Sequence, residues 1–264
     1  MLAPQRQALI LQEVSRQGAA RISELAEVLD VSEMTVRRDI DTLAEQGQLE
    51  KVHGGAVAVL ESSNITEPPF KANSLKEQAA KDAIAARAAE LIKPGAAIAL
   101  MGGSTVFAMA KHVALIPRIT VVTNSLPVSD YLHREGNQDQ VVILTGGMRT
   151  PTDSFVGEFT ISALQRLNLD LAFIGTHGID LHGGFSSPNL YEAETNRSVR
   201  QRVKKFVVLA DHTKLGKIGF STFAGLSEAD LLITDSAIDE KALAFLREQI
   251  PEIAVAKSGL TRND

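Results

Sequence analysis

The sequence contains no cysteine, and this absence excludes several classes of protein. Without thiols the chain forms no disulfide scaffold, thiolate zinc site or iron–sulfur cluster, and it has no cysteine nucleophile. It also lacks an apolar run of the length that spans a bilayer. The first residues, Met1 to Arg6, do not show the charged-then-apolar pattern of a signal peptide. Together these absences predict a soluble, cytoplasmic protein with no membrane partner.

An excess of positive charge is lacking as well. The chain has 27 Lys and Arg against 32 Asp and Glu, which gives a formal net charge of −5. Such a protein does not coat nucleic acid through bulk charge, so any contact with DNA would need a local basic surface. The 264 residues allow one large domain or two modest ones, and 44% hydrophobic residues suit a globular core.

Residues 1–57 are predicted to form a winged helix-turn-helix domain. Apolar residues recur at helical spacing in three short segments, of which the first ends at Gly18 and the third at Gly47. Ser32 is a favourable N-cap for the third helix, and the apolar stretch around Gly54–Gly55 is typical of a small β-hairpin. Three helices followed by a hairpin match the plan of a winged helix-turn-helix.

The rest of the chain is predicted to be a linker and an α/β domain. Residues 58–74 carry two prolines and a polar patch and lack a sustained period, which indicates the linker. Residues 75–264 open with an alanine-rich helix over 75–92, after which short apolar runs alternate with helical stretches. Such runs indicate strands buried on both faces of a mostly parallel sheet. The predicted strands are Ala97–Met101, Ile119–Thr123, Val141–Leu144, Leu171–Ile174, Phe206–Ala210 and Leu231–Thr234.

Glycines and polar residues follow these strands, at the edge of a parallel sheet where ligands bind. The clearest set is Gly102–Thr105, where glycines let the backbone approach a ligand and a following helix would present N–H groups to an anion. The alternative is a tight strand-to-helix turn, and a turn or solvated loop is likewise the alternative for the other candidates. These are Asn124, Gly146, Gly147, Gly175, Asp180, Glu192, Asp211 and Lys214.

The third predicted helix carries the candidate DNA contacts. Relative to its apolar face, Arg38 points outward and Thr35 and Arg37 lie on the flanks. Arginine reads guanine bidentately and a hydroxyl holds a phosphate, while Lys51 and His53 in the hairpin would add backbone contacts. The alternative is a solvated face of an ordinary helical domain, and composition alone leaves both interpretations open.

Two motifs carry a resemblance to a known family. Residues 31–40 read Val-Ser-Glu-Met-Thr-Val-Arg-Arg-Asp-Ile, and residues 51–56 read Lys-Val-His-Gly-Gly-Ala. Together with residues 22–26 they closely resemble the DeoR family of bacterial transcriptional repressors, and the resemblance runs from about Pro4 to about Ile253. It implies a winged helix-turn-helix that binds double-stranded operator DNA, followed by a sugar-sensing domain that resembles ribose-5-phosphate isomerase and CoA-transferase-like folds. It also implies a homodimer or homotetramer.

The resemblance assigns site residues in both domains. Those implied to contact DNA are Ser32, Thr35, Arg37, Arg38, Lys51 and His53. Those implied to bind a small anionic carbohydrate effector are Lys81, Gly102, Gly103, Ser104, Thr105, Asn124, Gly146, Gly147, Gly175, Asp180, Glu192, Asp211 and Lys214. No cofactor is implied, and no His or Glu spacing indicates a metal site.

Three positions depart from the family pattern and bear on the effector. Met101 stands where the phosphate loop usually begins with an acid, Asn73 where an Arg is usual, and Asn196 where a Lys usually follows the helix Glu. These differences leave open a phosphorylated sugar, sugar acid or polyol, or an effector with no phosphate.

The simplest function for this arrangement is a repressor of a carbohydrate-catabolic operon that the effector releases from its operator. One alternative is an enzyme similar to a sugar-phosphate isomerase, with Asp180, Glu192 or Asp211 as the general base. Another is a plain protein-interaction module. Because fold likeness does not carry activity, the sequence favours a regulator that is not an enzyme.

Overall fold

A computed structural model describes residues 2–58 and 70–257 of the chain. The described residues form two compact units, one of residues 2–58 with 70–78 and the other of residues 79–257. Most of the predicted linker, residues 59–69, lies outside the described residues.

The first unit contains the three predicted helices and the predicted hairpin. Its elements are α1 (Ala3–Gln17), β1 (Ala19–Arg21), α2 (Ile22–Leu29), α3 (Glu33–Glu45), β2 (Leu49–Val52), β3 (Gly55–Ala58) and α4 (Phe70–Leu75). The hairpin gains a third strand that was not predicted, because β1 pairs antiparallel with β3 in the order β1-β3-β2. The result is a winged helix-turn-helix.

The core of this unit follows from the apolar periodicity of its helices. Ile10 and Val14 of α1 pack with Leu25 of α2 and with Val36 and Ile40 of α3, and all five are buried. These side chains recur at three- and four-residue spacing, so each helix buries one face and leaves the opposite face to solvent. The outward face of α3 is therefore fixed by the packing of its inward face.

Residues 70–74 differ from the sequence prediction of a linker, because they are helical. Ala72 and Leu75 of α4 are buried against Ala19 of β1 and Val57 of β3. In addition, Lys71 forms an ion pair of 2.6 Å with Glu24 of α2. The apolar contacts stabilise α4 on the winged-helix unit, a contact between segments distant in sequence that periodicity alone does not reveal.

The alanine-rich helix predicted over residues 75–92 is correspondingly shorter. Glu77 adopts a left-handed backbone conformation with φ of 49°, which interrupts an α-helix. The helix α5 then runs over Gln78–Ala89. The predicted start of the sensing region at residue 75 therefore falls at the end of α4.

The second unit is a three-layer α/β domain. After α5 its helices are α6 (Ser104–Phe107), α7 (Ala110–Val113), α8 (Leu126–Glu135), α9 (Glu158–Gln165), α10 (Leu190–Arg200) and α11 (Glu240–Gln249). Its strands are β4 (Ala97–Leu100), β5 (Thr120–Thr123), β6 (Val141–Leu144), β7 (Met148–Arg149), β8 (Phe155–Val156), β9 (Leu169–Gly175), β10 (Gly178–Asp180), β11 (Gly184–Ser187), β12 (Val203–Leu209), β13 (Ser221–Ala224), β14 (Leu231–Asp235) and β15 (Ile253–Ala256). Single 3₁₀ turns cover His212–Lys214 and Leu226–Glu228.

Seven strands of this unit form one parallel sheet in the order β15-β14-β12-β9-β4-β5-β6. The six predicted strands are all present, and β15 is an addition at one edge. Alternate residues face opposite layers, so Ile98 and Leu100 enter one apolar core while Ala99 and Met101 enter the other. Burial on both faces explains why these strands read as continuous apolar runs.

The strand order reverses direction between β4 and β9. From β4 the chain proceeds to β5 and β6 on one side, and from β9 it proceeds to β12, β14 and β15 on the other. In open α/β sheets ligands bind in the crevice beyond the carboxyl ends of the strands at such a switch point. The topology therefore places the candidate effector site after β4 and β9. No helix in the described part of the chain is long and apolar enough to span a membrane.

Candidate nucleic-acid interface and effector site

The N-terminus of α3 presents the predicted DNA contacts. Ser32 caps the helix, since the Thr35 N–H donates to Ser32 Oγ at 3.3 Å and the two hydroxyls lie 2.9 Å apart. Ser32, Arg37 and Arg38 are exposed, and Thr35 is half-buried. Two arginines and two hydroxyls therefore share the solvent-facing start of one helix.

The two arginines differ in their surroundings. Arg37 lies 3.9 Å from Glu33 in an exposed pair along the helix, and such pairs are worth little in water. Arg38 has no carboxylate within ion-pair distance among the described residues. A planar guanidinium that is exposed and unpaired is suited to bidentate contacts with a base edge or a phosphate.

The hairpin places its cation next to the same helix. Lys51 of β2 forms an ion pair with Asp41 of α3, and both side chains are about half exposed. His53 is exposed in the two-residue turn between β2 and β3. Because Asp41 belongs to α3, this pair places Lys51 beside the helix that carries Arg38.

Asp39 supports this surface from the buried side of α3, and sequence reasoning missed it. It is buried and receives a bidentate contact from Arg6 of α1, together with a bond of 3.2 Å from Gln7 Nε2. The carboxylate raises the pKa of the Arg6 guanidinium. This contact joins α1 to α3 and so orients the helix that carries Arg38. The sequence signal that could have indicated this role is the position of Asp39, a charged residue on the apolar side of α3.

In the second unit, Gly102 occupies a crowded position that connects three strands. Its N–H donates to Asn124 Oδ1 at 2.8 Å, and Asn124 Nδ2 donates to the Phe155 carbonyl oxygen at 2.8 Å. A Cβ at Gly102 would lie 2.1 Å from Ser154 Oγ, so only glycine fits there. Asn124 therefore holds the loop after β4 in position.

Gly103 and the two hydroxyl residues that follow it face the switch point. Gly103 has φ of 128°, a backbone conformation that residues with a side chain rarely adopt. A Cβ added at Gly103 would lie 3.8 Å from Gly175 Cα. Within the described chain neither the Ser104 nor the Thr105 hydroxyl has a hydrogen-bond partner. At this point the backbone after β4 approaches the end of β9, and the two available hydroxyls follow directly in the chain.

The helix after this loop is much shorter than expected. Helix α6 covers only Ser104–Phe107, and one turn has a small dipole. The predicted helix start is present, but it adds only one turn to the anion site, which stays a prediction. The polar groups of the loop are its own N–H groups and the hydroxyls of Ser104 and Thr105.

Glu192 lies inside a cluster of hydroxyls. Its Oε1 accepts from Thr152 Oγ1 at 2.6 Å and from Thr150 Oγ1 at 3.1 Å, and its Oε2 accepts from Ser187 Oγ at 3.3 Å. Thr152 also contacts Ser154 at 3.4 Å, and Ser154 adjoins Gly102. This hydroxyl cluster connects Glu192 with the Gly102–Thr105 loop. The sequence signal that could have found it is the alternation of hydroxyl residues at 150, 152 and 154.

Other predicted effector residues are occupied by local structure. Asp180 accepts the N–H groups of His182 at 3.0 Å and Gly183 at 2.5 Å in the turn between β10 and β11, and these bonds lower the pKa of Asp180. Asp211 is buried and caps the His212–Lys214 turn by accepting from Thr213 N at 3.1 Å. Both carboxylates serve turns at their positions.

The remaining predicted residues lie on separate elements. The Gly146 carbonyl accepts from Thr160 Oγ1 at 2.6 Å, and a Cβ at Gly147 would lie 2.3 Å from that same hydroxyl. Lys81 is buried within α5, and Lys214 has no carboxylate within 4 Å in the described residues. The departures from the family pattern are Met101, buried in the core, Asn73, on α4, and Asn196, half-buried on α10.

A histidine and an aspartate at the same sheet edge were not predicted as a pair. His212 Nδ1 lies 3.0 Å from Asp235 Oδ2, and the His212 N–H donates to Asp235 Oδ1 at 2.7 Å. Asp235 is buried at the end of β14, so it orients the ring of His212. No group of three His, Asp or Glu residues in the described chain is placed to hold a metal ion.

Comparison with known proteins matches both units to families. The family model described as the DeoR-like helix-turn-helix domain matches residues 6–62, and that described as the DeoR C terminal sensor domain matches residues 76–236. The chain belongs to the DeoR family. It is therefore a DNA-binding transcriptional regulator with a sensor domain, which confirms the prediction from the motifs in α3 and the hairpin.

Relatives align over most of their length. The chain is 35% identical to the HTH-type transcriptional regulator GolR of Listeria innocua, over 89% of this chain and 92% of that protein. It is 35% identical to the HTH-type transcriptional regulator GlpR of Haloferax volcanii, over 97% of both chains. It is 35% identical to the lactose phosphotransferase system repressor of Streptococcus mutans, over 86% of this chain and 90% of that protein.

Among solved structures, similarity extends to a D-ribose-5-phosphate isomerase in complex with phospho-erythronic acid. That match has a TM-score of 0.39 and 19% identity, and covers 53% of this chain and 54% of the other.

Proposed function

We propose that this regulator represses a carbohydrate-catabolic operon and leaves its operator when a small anionic carbohydrate binds the sensor unit. The observation that carries the proposal is the presence, in one chain, of an exposed Arg38 on a recognition helix and of a glycine- and hydroxyl-rich loop, Gly102–Thr105, at the switch point of the sheet. Relatives include a lactose phosphotransferase system repressor and a putative aga operon repressor. These names support a sugar-linked role.

On the DNA side, α3 is proposed to enter the major groove, as the second helix of such motifs does. Arg38 and Arg37 would contact base edges or phosphates, while Ser32 and Thr35 would contact phosphates at the helix start. Lys51 and His53 would contact the backbone beside the groove. To contact DNA, Arg37 would give up its ion pair with Glu33, and Lys51 its ion pair with Asp41. Both pairs are exposed, so their replacement by phosphate contacts costs little free energy.

On the sensor side, the Gly102–Thr105 loop is proposed to bind an anionic group through backbone N–H groups and the hydroxyls of Ser104 and Thr105. Glu192 and its hydroxyl cluster would bind sugar hydroxyls, because a carboxylate accepts from hydroxyls and the cluster already adjoins the loop. Asn124 and Gly102 would set the shape of the loop. Lys81 and Lys214 would supply positive charge.

Release from DNA requires that the effector bind the DNA-free arrangement more tightly than the DNA-bound one. We infer that the linker predicted over residues 58–74 and the helix after it carry the coupling. A symmetric dimer or tetramer in the cytoplasm would match repeated half-sites in the operator.

The test is a thermal-shift screen of the full chain against sugar phosphates, sugar acids and polyols, followed by operator binding measured with each stabilising compound. We expect at least one sugar phosphate or sugar acid both to raise the melting temperature and to weaken operator binding. A compound that stabilises the protein but is converted to another sugar would favour the isomerase alternative instead. A chain that binds no DNA near its own gene would refute the proposal.

A further inference from the structure

One large apolar side chain stands on the outward face of α3. Met34 is the second residue of this helix, and 60% of its surface is exposed. At about 100° per residue, Met34 and Arg38 point within about 40° of each other and away from the buried Val36 and Ile40. Within α3, which the structure describes in full, the other large hydrophobic residues are buried in the core of the unit.

The groups next to Met34 are polar or cationic. Ser32 and Thr35, whose hydroxyls lie 2.9 Å apart, flank it along the chain. Arg38 follows one helical turn later, and residues four apart on a helix have Cβ atoms about 5–6 Å apart. In the described chain Arg38 has no carboxylate within ion-pair distance. Hydroxyls and a guanidinium suit phosphates and base edges, so this face fits DNA better than the apolar surface of another protein.

The charges around Met34 favour the same partner. Glu33 lies 3.9 Å from Arg37, and Asp41 forms an ion pair with Lys51, all four side chains being about half exposed. With Arg38, the three cations of this face outnumber its two carboxylates. The face is therefore positive although the chain as a whole is acidic, and a positive face attracts a polyanion.

In the major groove, the position of Met34 directs it toward base edges. The N-terminal residues of a recognition helix are those that contact bases, and Met34 belongs to the first turn of α3. A thioether has no donor and is a weak acceptor, so it cannot satisfy the polar edge groups of guanine, adenine or cytosine. The apolar group that base pairs present in this groove is the C5-methyl group of thymine.

We propose that Met34 determines part of the operator sequence by packing against the C5-methyl groups of thymines, one helical turn from the contact made by Arg38. Met34 can do so only if α3 enters the major groove, so the inference rests on the proposed function. The unbranched thioether side chain adapts readily to an apolar surface. Removing one methyl group from water favours binding by about fourfold, which discriminates thymine from the other bases without a hydrogen bond.

The test replaces thymine by uracil, which lacks only the C5-methyl group. An operator duplex is first selected from random DNA with the full chain, and each of its thymines is then replaced singly. Fluorescence anisotropy measures the affinity of the wild type and of Met34→Ala for every duplex. In each half-site we expect a thymine whose replacement weakens wild-type binding by about fourfold but Met34→Ala binding by less than about 1.5-fold.

Two further variants separate a specific contact from a general loss of apolar surface. Met34→Leu retains an apolar side chain of similar size, so the same thymines should still matter for its binding. Val28→Ala removes a side chain that is 72% exposed on α2, the neighbouring helix. This variant should bind every duplex as the wild type does.

The same response to uracil in the wild type and in Met34→Ala overturns the proposal, as does a wild type that is indifferent to every replacement. Arg38→Ala, measured on the unmodified operator, separates this failure from that of the proposed function. Weaker binding by Arg38→Ala, with no thymine that depends on Met34, would leave α3 in the groove and remove only Met34 from base recognition. Unchanged binding by Arg38→Ala would refute both.

Discussion

At the residue scale, Gly102 and Gly103 are neighbours with different reasons to be glycine. Gly102 has no room for a Cβ because Ser154 adjoins it, whereas Gly103 has room but adopts φ of 128°. The first glycine therefore determines the loop's packing, and the second determines its conformation beside Gly175. Arg38 is defined by the opposite property, an exposed charge that has no carboxylate partner in the described chain.

Replacing Arg38 by Ala should weaken operator binding by about 1–3 kcal/mol per site, because a bidentate contact with a base or phosphate is lost. Fluorescence anisotropy with operator DNA measures this change. Arg202→Ala is the matched control, since Arg202 is an exposed arginine of the sensor unit. Equal operator affinity of wild type and Arg38→Ala would refute the assignment of the recognition helix.

Replacing Gly103 by Asp should block the response to the effector while leaving operator binding intact. The new side chain is strained at this φ and places a negative charge where an anion is proposed to bind. The measurement is operator binding with and without the compound found by the thermal-shift screen. Release of the variant by that compound at the wild-type concentration would remove the loop from the effector site.

At the scale of elements, the sequence predicted those whose signal is local. Caps and apolar periodicity indicated α2 and α3, with Ser32 as the N-cap, and apolar runs indicated six strands of the parallel sheet. Strand β1 was missed because it has only three residues and is stabilised by pairing with β3. Helix α4 was missed because its six residues are held by tertiary contacts with Ala19 of β1 and Val57 of β3. Likewise, the hydroxyl cluster around Glu192 depends on tertiary contacts.

Replacing Leu75 by Ala should destabilise the winged-helix unit by about 2–5 kcal/mol, the usual cost of truncating a buried leucine. Leu75 is buried with Ala19 and Val57, so the loss should appear as weaker operator binding and a lower unfolding temperature of that unit. Leu115→Ala provides the control because Leu115 is an exposed leucine. If both variants unfold like the wild type, α4 does not contribute to the stability of the unit.

At the scale of the whole molecule, an acidic chain is proposed to bind a polyanion. The net charge is −5, yet Arg37, Arg38 and Lys51 are gathered on α3 and the adjoining hairpin. Few cations take part, so affinity must come from local geometry and must fall as salt competes for the phosphates. The bulk charge of the chain opposes non-specific binding and so favours discrimination between sites.

Replacing Lys51 by Ala should make the salt dependence of operator binding less steep. Each phosphate contact contributes a slope of about −0.9 in a plot of log affinity against log salt concentration, so the slope should fall by about that amount per subunit. The loss should be similar for operator and unrelated DNA, because a phosphate contact carries no sequence information. An unchanged slope would show that Lys51 does not neutralise a phosphate.

Coupling between a carbohydrate site and a DNA site in one chain must be reciprocal, so binding is measured in both directions. Operator affinity of the full chain is measured with and without the screened compound, and affinity for the compound is measured with and without operator. Coupling of the usual size predicts that the compound weakens operator binding by about 5- to 150-fold and that the operator weakens binding of the compound by the same factor. A compound that binds the sensor unit while operator affinity stays unchanged would show that the two sites are not coupled.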